Sequence, residues 1–275
     1  MAAHSSADAP EHYPWPGAGV EAAMLHRDGV RELDARAGLG PMDETLRGDG
    51  AAPLADRTLV VAVGSNQSPA VIASKYRRFG LVGPVTTPFL RCTVQELAVG
   101  HSAHVSARGY IAAAPHDAPG ARTEFVATWF DAAQLEVIDR SEPNYERIEL
   151  IAADHPFELS TGDRPARFEV YASRWGVIAD RPPLPVRVDR SAGPPLAVQG
   201  RPHGRTPLAF QPAQQDLFGL LGALTGADAF SGDAAEICAR LAWDPAAIGT
   251  LLRERALVVP DGLPRPLPPG EDHER

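Results

Sequence analysis

Thr58-Leu59-Val60-Val61-Ala62-Val63-Gly64-Ser65-Asn66-Gln67-Ser68-Pro69 is the stretch on which the fold of this chain turns. Its first half is apolar, rich in β-branched residues and bounded by glycine, which predicts a strand buried on both faces. Its second half sets a serine side-chain cap and a proline at the first helical position ahead of an amphipathic run to Phe79. A strand, a tight loop and a helix start therefore follow in immediate succession. Backbone N–H groups at such a junction point outward and favour a carboxylate or a developing oxyanion, so the Gly64-Ser65-Asn66 loop is a candidate anion cradle. The same tripeptide also fits an ordinary turn in which glycine supplies an unusual φ and asparagine caps its own backbone.

Downstream of this stretch, residues 92–99, 109–114 and 122–130 read as strands, with Asp117-Ala118-Pro119-Gly120 as the turn between the last two. Residues 131–141 read as a helix capped by Asp131, with Leu135 and Ile138 on one face and Pro143 as its stop. Residues 145–152 and 167–173 alternate as strands. Residues 181–205, dense in Pro, Gly and Arg, mark a loop or linker. Three short helices are expected at 214–225, 234–242 and 245–255, the first strongly apolar. At the ends, residues 1–17 read as a polar, proline-broken mobile arm, residues 18–48 as one or two short outer helices, and the tail beyond Pro260 as disordered. The expected division is 1–57 arm and short helices, 58–180 central domain, 181–205 linker, 206–260 helical extension and 261–275 tail.

The 275 residues carry 35 acidic against 26 basic side chains, a net charge of −9, of which residues 1–57 hold −5 (ten Asp and Glu against five Arg). That balance argues against a nucleic-acid binder working by phosphate neutralisation and fits a neutral or cationic small partner. No basic and apolar leader opens the chain and no apolar run approaches membrane-spanning length, so a cytoplasmic protein with no membrane partner is expected. Cys92 and Cys238 are far apart and in no metal-ligand spacing, which predicts two small core residues. Lys75 is the only lysine; beside Tyr76, Arg77 and Arg78 on a predicted helix it reads as a solvated charge, and Schiff-base chemistry is set aside. His101 and His104 lack a third ligand nearby and read as surface histidines. Ser65 lacks the Gly-x-Ser-x-Gly elbow of a nucleophile, and residues 219–226 lack the lysine of a phosphate loop.

The second segment with chemical content is Ile138-Asp139-Arg140-Ser141-Glu142-Pro143-Asn144-Tyr145-Glu146-Arg147, where a helix runs out at a proline and a strand begins. Read alone, Glu142 is a charged helix terminus that the dipole does not help. Read together, Val63-Gly64-Ser65-Asn66, Ile138-Asp139-Arg140-Ser141-Glu142, Tyr145 and Arg147 resemble the γ-glutamylcyclotransferase family. There a first strand ends in Tyr-Gly-Ser-Asn, and a Leu-Asp-x-x-Glu helix end precedes Tyr and often Arg. Gly109 opening a hairpin and residues 126–130 leading into the helix are similar in order and spacing, so the resemblance covers residues 58–175.

The resemblance implies an α+β fold, a mixed β-barrel of the γ-glutamylcyclotransferase-like type with flanking helices and a helical C-terminal extension. It also implies a pocket between the first loop and the helix-terminal glutamate. Carried over, Glu142 is the catalytic acid/base, while Val63, Gly64, Ser65, Asn66, Gln67 and Tyr145 bind the substrate, a γ-glutamyl small molecule that loses 5-oxoproline when its own α-amine attacks the γ-carbonyl. No metal and no cofactor are implied. For a single carboxylate to take the proton and return it to the departing amine, its pKa has to rise in a partly apolar pocket. Val63 stands where the family has Tyr, so an aromatic wall or hydroxyl has to come from elsewhere or be missing. The alternative expectation is a non-catalytic domain on the same fold that binds a small carboxylate or a partner protein, with the apolar helix at 214–225 as a docking surface.

Overall fold

The computed structural model describes residues 9–15, 21–180 and 206–265. Its centre is the expected strand β3 (Thr58–Ala62), which runs antiparallel to β5 (Ile111–Phe130) and parallel to β8 (Arg167–Ser173). β5 pairs along its length with β4 (Thr87–Val105), a strand of 19 residues, about 60 Å at 3.3 Å per residue. β8 pairs with β6 (Tyr145–Ile151). The far edge of β4 is shared in series by β1 (Ala22–His26), β7 (Phe157–Leu159) and β9 (Val177–Ile178). β2 (Gly29–Glu32) pairs with β1, and β10 (Val258–Val259) with β9.

The result is a mixed α+β architecture around one sheet ordered β10-β9-β4-β5-β3-β8-β6, with β1, β2 and β7 as side branches. The sheet stays open, which corrects the expected barrel: β6 and β10 lie at opposite ends of that order and do not meet. Closure needs strands of matched length and stagger. Here one very long hairpin is flanked by short strands that each cover only a part of it.

Helices cover the faces: α1 (Gly40–Gly48), α2 (Pro69–Phe79), α3 (Ala132–Ser141), α4 (Gln214–Thr225), α5 (Ala234–Trp243) and α6 (Pro245–Glu254). One core sits between α1 and the sheet through Met24, Leu46, Leu90, Phe125 and Phe168, and a second joins α2 and α3 to the sheet through Ile72, Tyr76, Phe89, Phe130 and Ile138. A third lies under α4–α6 and includes Leu217, Phe218 and Leu221, none of them exposed. The face of α4 that carries Leu217, Phe218 and Leu221 is thus covered within the chain, while Leu220 is left exposed. Full burial of such side chains stabilises by about 2 kcal/mol each.

Three local readings are corrected. Residues 22–32 are a hairpin, not a helix, because the open edge of β4 recruits residues 22–25 and overrides the helix propensity of Ala-Ala-Met-Leu; Arg27-Asp28 is its two-residue turn. Residues 117–120 do not separate two strands, since Asp117 and Arg122 both pair with β4, and the intervening residues bulge opposite Glu96, whose Oε2 accepts from the Gly120 N–H at 2.7 Å. The ends are more ordered than expected: Tyr13 and Trp15 are buried, and so are Asp261 and Leu263, with the Asp261 carbonyl accepting from the Asp117 N–H at 2.7 Å. The linker expected at 181–205 lies outside the described residues, as do 1–8, 16–20 and 266–275. No helix among the described residues is long and apolar enough to cross a membrane.

Candidate active site

The loop after β3 begins at Gly64, whose φ of 62° is left-handed, and residues Gly64–Gln67 make one tight turn before Pro69 opens α2. The Ser68 side chain makes no capping bond, contrary to expectation; proline alone sets the helix start. α3 is aimed from its other end. Asp131 and Gln134 form a reciprocal capping box, and the buried Arg57 guanidinium donates to the Gln134 Oε1 and to the carbonyls of Thr86 and Trp129. The helix then delivers Glu142 as its C-terminal cap, with Pro143 barring a further turn. Asp139, one turn earlier, accepts from Arg147 Nε at 2.9 Å and from the Tyr171 hydroxyl at 2.7 Å, which locks the last turn.

Glu142 meets the first loop directly. Its Oε1 accepts from Asn66 Nδ2 at 3.0 Å and from Lys75 Nζ at 2.5 Å, and the same ammonium donates to Asn66 Oδ1 at 2.7 Å. The three groups close a ring of hydrogen bonds in which Lys75 and Glu142 are each only 15 % exposed. A carboxylate at the negative end of a helix dipole needs such compensation. Lys75 is therefore not the solvated charge the sequence predicts. The overlooked signal is its spacing: Val71 and Ile72, four and three residues earlier, are buried, which sets Lys75 on the inward side of α2.

The ring opens onto a cavity of about 710 Å³. Of the residues singled out from sequence, Val63, Ser65, Asn66, Glu142 and Tyr145 line it, while Gly64 is buried beneath it and Gln67 is not part of the lining. Another part of the lining is aromatic. Tyr13 stacks on Tyr110 at 4.5 Å between centroids, and Trp15 meets both edge-on at 5.3 and 5.5 Å. Sequence reasoning missed all three, because only folding brings residues 13 and 15 to the hairpin tip at Tyr110.

This wall follows from an unpaired sheet edge. β3 covers β5 only at residues 126–130, so the backbone near Ala113 has to be satisfied by side chains. The Ala113 N–H donates to the Tyr13 hydroxyl at 2.8 Å, and its carbonyl accepts from the Tyr145 hydroxyl at 2.9 Å. Two residues along, Gln214 of α4 brackets Ile111 in the same way, at 2.9 and 3.0 Å. Burial, reinforced by the negative charge of Glu142, pushes the phenols of Tyr13 and Tyr145 well above the usual range and that of Tyr110 to about 12, so all three stay protonated.

Among the described residues the cavity lining holds the cations Lys75, Arg77, Arg78, Arg108 and Arg140 and one carboxylate, Glu142, a local balance opposite to the chain's net charge. His101 and His104 are not surface residues. His101 stacks on Phe210 and accepts from the Gln211 N–H at 2.8 Å, His104 Nδ1 lies 2.5 Å from the Ser102 hydroxyl, and burial lowers both to about 4. Among the described residues, no group of three or more His, Cys, Asp or Glu is placed to hold a metal ion.

No protein-family model matches the sequence, and no curated protein matches it. Two solved structures are similar in part. One, described as a gamma-glutamyl cyclotransferase, shares 16 % identity at a TM-score of 0.34 over 42 % of this chain and 66 % of that one. The other, an uncharacterized protein from Homo sapiens, shares 16 % identity at a TM-score of 0.32 over 43 % of this chain and 67 % of that one. This chain thus spans about two thirds of the length of each.

Proposed function

We propose that the cavity is the active site of a γ-glutamylcyclotransferase-like enzyme that releases 5-oxoproline from a γ-glutamyl amide or amino acid. One observation carries this reading: the Glu142 carboxylate at the end of α3 is hydrogen-bonded to the loop-and-helix pair Asn66 and Lys75 in the lining of an open cavity. The α-ammonium of the substrate gives a proton to Glu142, and the freed amine attacks the γ-carbonyl carbon. A C–N bond closes the five-membered ring and the carbonyl oxygen takes up negative charge. Glu142 then returns the proton to the departing nitrogen, the original amide C–N bond breaks as the carbonyl re-forms, the ring nitrogen passes its second proton through the Glu142 carboxylate to the freed amine, and 5-oxoproline and an ammonium leave.

Charge on the oxygen is met by donors fixed before the reaction, a contribution of about 3 kcal/mol for each. Lys75 is one such donor, having used two of its three N–H bonds within the ring. The arginines of the lining suit the α-carboxylate that every γ-glutamyl compound carries. Holding the glutamyl chain folded adds the advantage of an intramolecular attack.

The second reading, a non-catalytic binder of small carboxylates, draws on the same excess of cations and on the ion pair that already engages Glu142. The two part company at Glu142→Gln, a near-isosteric change. The enzyme reading expects 5-oxoproline release from a panel of γ-glutamyl compounds to fall by about a thousandfold. Equal release from both proteins removes Glu142 from the role, and ligand retention by both without release favours the binder.

A further inference from the structure

One polar side chain of the cavity has no part in the chemistry described above. His104, on β4, lines the cavity with only 8 % of its surface exposed, and its ring is held between Tyr145, edge-on at 5.7 Å, and Trp175, tilted at 6.4 Å. Its Nδ1 lies 2.5 Å from the Ser102 hydroxyl, which lies 2.6 Å from the Ser173 hydroxyl, and the Trp175 N–H donates to Ser173 at 3.1 Å. The other ring nitrogen, Nε2, has no hydrogen-bond partner among the described residues. Unlike the unpartnered Nδ1 atoms of His101 and His155, it is not sealed from solvent. On a residue that lines the cavity, Nε2 is the polar atom left for a ligand.

The direction of this hydrogen-bonded chain follows from its fixed end. A backbone N–H only donates, so Ser173 accepts from Trp175 and gives its own proton to Ser102, its other partner. Ser102 then gives its proton to His104 Nδ1. The Tyr145 hydroxyl, close enough to interact with Ser102, is satisfied as the donor to the Ala113 carbonyl. Burial lowers the His104 ring to about 4, so near neutral pH the ring holds one proton, and with Nδ1 accepting, that proton sits on Nε2. We propose that His104 is a ligand-binding residue that donates its Nε2–H to a carboxylate or carbonyl oxygen in the cavity, held in that tautomer by Ser102 and Ser173. Arg77, Arg78 and Arg140 are exposed and reach an anion on long, free side chains, whereas a buried ring fixes where the bound oxygen lies. The proposal goes beyond the role of Glu142 and applies to the enzyme and the binder alike, because both put a carboxylate in this cavity.

Two variants divide the functions of the ring. His104→Gln can set an amide N–H near the position of Nε2 but loses the Nδ1 acceptor; His104→Asn can still accept from Ser102 near the position of Nδ1 but reaches no further into the cavity. The probes are glutarate, which is the glutamate skeleton without its amine, and 5-oxoproline, with binding followed by calorimetry. His104→Asn should weaken both by about tenfold or more, the scale of a hydrogen bond to a charged acceptor, and His104→Gln should recover most of that loss. A ring that serves only to fasten β4 to Ser173 predicts the reverse order, with His104→Asn the milder change in melting temperature and in binding. That order, equal affinity in all three proteins, or no binding of either probe to the unaltered protein overturns the proposal.

A measurement on the unaltered protein does not depend on how the variants fold. In nitrogen NMR with isotope-labelled histidine, His104 should show an unprotonated Nδ1 and a protonated Nε2 at neutral pH, and added 5-oxoproline should move the Nε2 signal. A proton on Nδ1 overturns the proposal. The two readings also fail separately. If no γ-glutamyl compound releases 5-oxoproline but glutarate ranks the variants as expected, the donor stands and the enzyme reading falls. If γ-glutamyl-alanine releases 5-oxoproline with equal kcat/KM in all three proteins, the enzyme reading stands and the donor falls. Where both stand, a loss in KM alone places the donor on the α-carboxylate, which is bound alike before and during the reaction, and a loss in kcat places it on the γ-carbonyl oxygen.

Discussion

Two surfaces meet at the tip of the β4–β5 hairpin, and they are built from opposite materials. On one side α4–α6 close over the tip with Leu217, Phe218, Leu221, Ile237 and Leu252, all fully buried, and Gly109 permits Cys238 of α5 to approach so closely that a Cβ there would lie 1.8 Å from its carbonyl oxygen. On the other side Lys75, Glu142, Asn66 and a row of tyrosines surround an open cavity. The apolar side offsets its own ordering through area removed from water. The polar side holds a nearly buried ion pair, which adds little or nothing net to stability. A charge arrangement that stability does not account for, next to an open cavity, is where a ligand is expected.

The sharpest way to break this comparison is to remove material from the apolar side. Phe218→Ala deletes a fully buried ring stacked on Phe230 and should cost about 4 kcal/mol in urea unfolding, while the remaining folded protein keeps its ligand affinity. A loss below about 1 kcal/mol means that the helices are a loosely held appendage and the contrast between the two sides is mistaken.

A smaller effect is expected on the polar side, with a different signature. Lys75→Met leaves Glu142 without its cation and should cost about 2 kcal/mol, below the usual figure for a buried pair because both groups keep some contact with solvent. Changing both residues, Lys75→Met with Glu142→Leu, should bring stability back to within about 1 kcal/mol of the starting protein, since no uncompensated charge remains. Thermal melts of the three variants check this. If the double variant is as unstable as the sum of the single ones, the pair is a structural element and its link to the cavity weakens.

How much of this was legible in the sequence follows from how local each feature is. The strand, loop and helix of residues 58–79 and the Asp131 cap were readable because their signals lie within a few residues of the structure they specify. Glu142 beside Pro143 was readable as a helix end for the same reason. Its partner was only half readable: the helical spacing from Val71 and Ile72 places Lys75 inward, but nothing along the chain says that α3 ends opposite it. The hairpin at 22–32 was hidden because its cause is an edge of β4 more than fifty residues away. The open sheet was hidden too, since closure depends on how the ends of β6 and β10 lie in space. Tyr13 and Trp15 looked like part of a polar arm, and only the unpaired backbone at Ala113 explains why they are held.

That last link can be measured as a coupling energy, the smallest of the expected effects. Gly64→Ala forces a side chain into a left-handed position and against the Tyr13 hydroxyl, so in the intact protein it should cost about 2–3 kcal/mol. In a Tyr13→Phe background the offending oxygen is gone, the Ala113 Cβ stands at 3.1 Å and the nearest ring carbon at 3.3 Å, so the backbone strain and that tight contact, about 1–2 kcal/mol together, should remain. The difference is a coupling energy of about 1 kcal/mol or more between two residues 51 positions apart. Its sign is informative, because Tyr13→Phe also deprives the Ala113 N–H of its acceptor. If Tyr13 did not sit over Gly64 in solution, the two losses would simply add, and the wall would not be held by the loop it faces. A coupling that favours the double variant ties the segment around Tyr13 to the turn that begins the site.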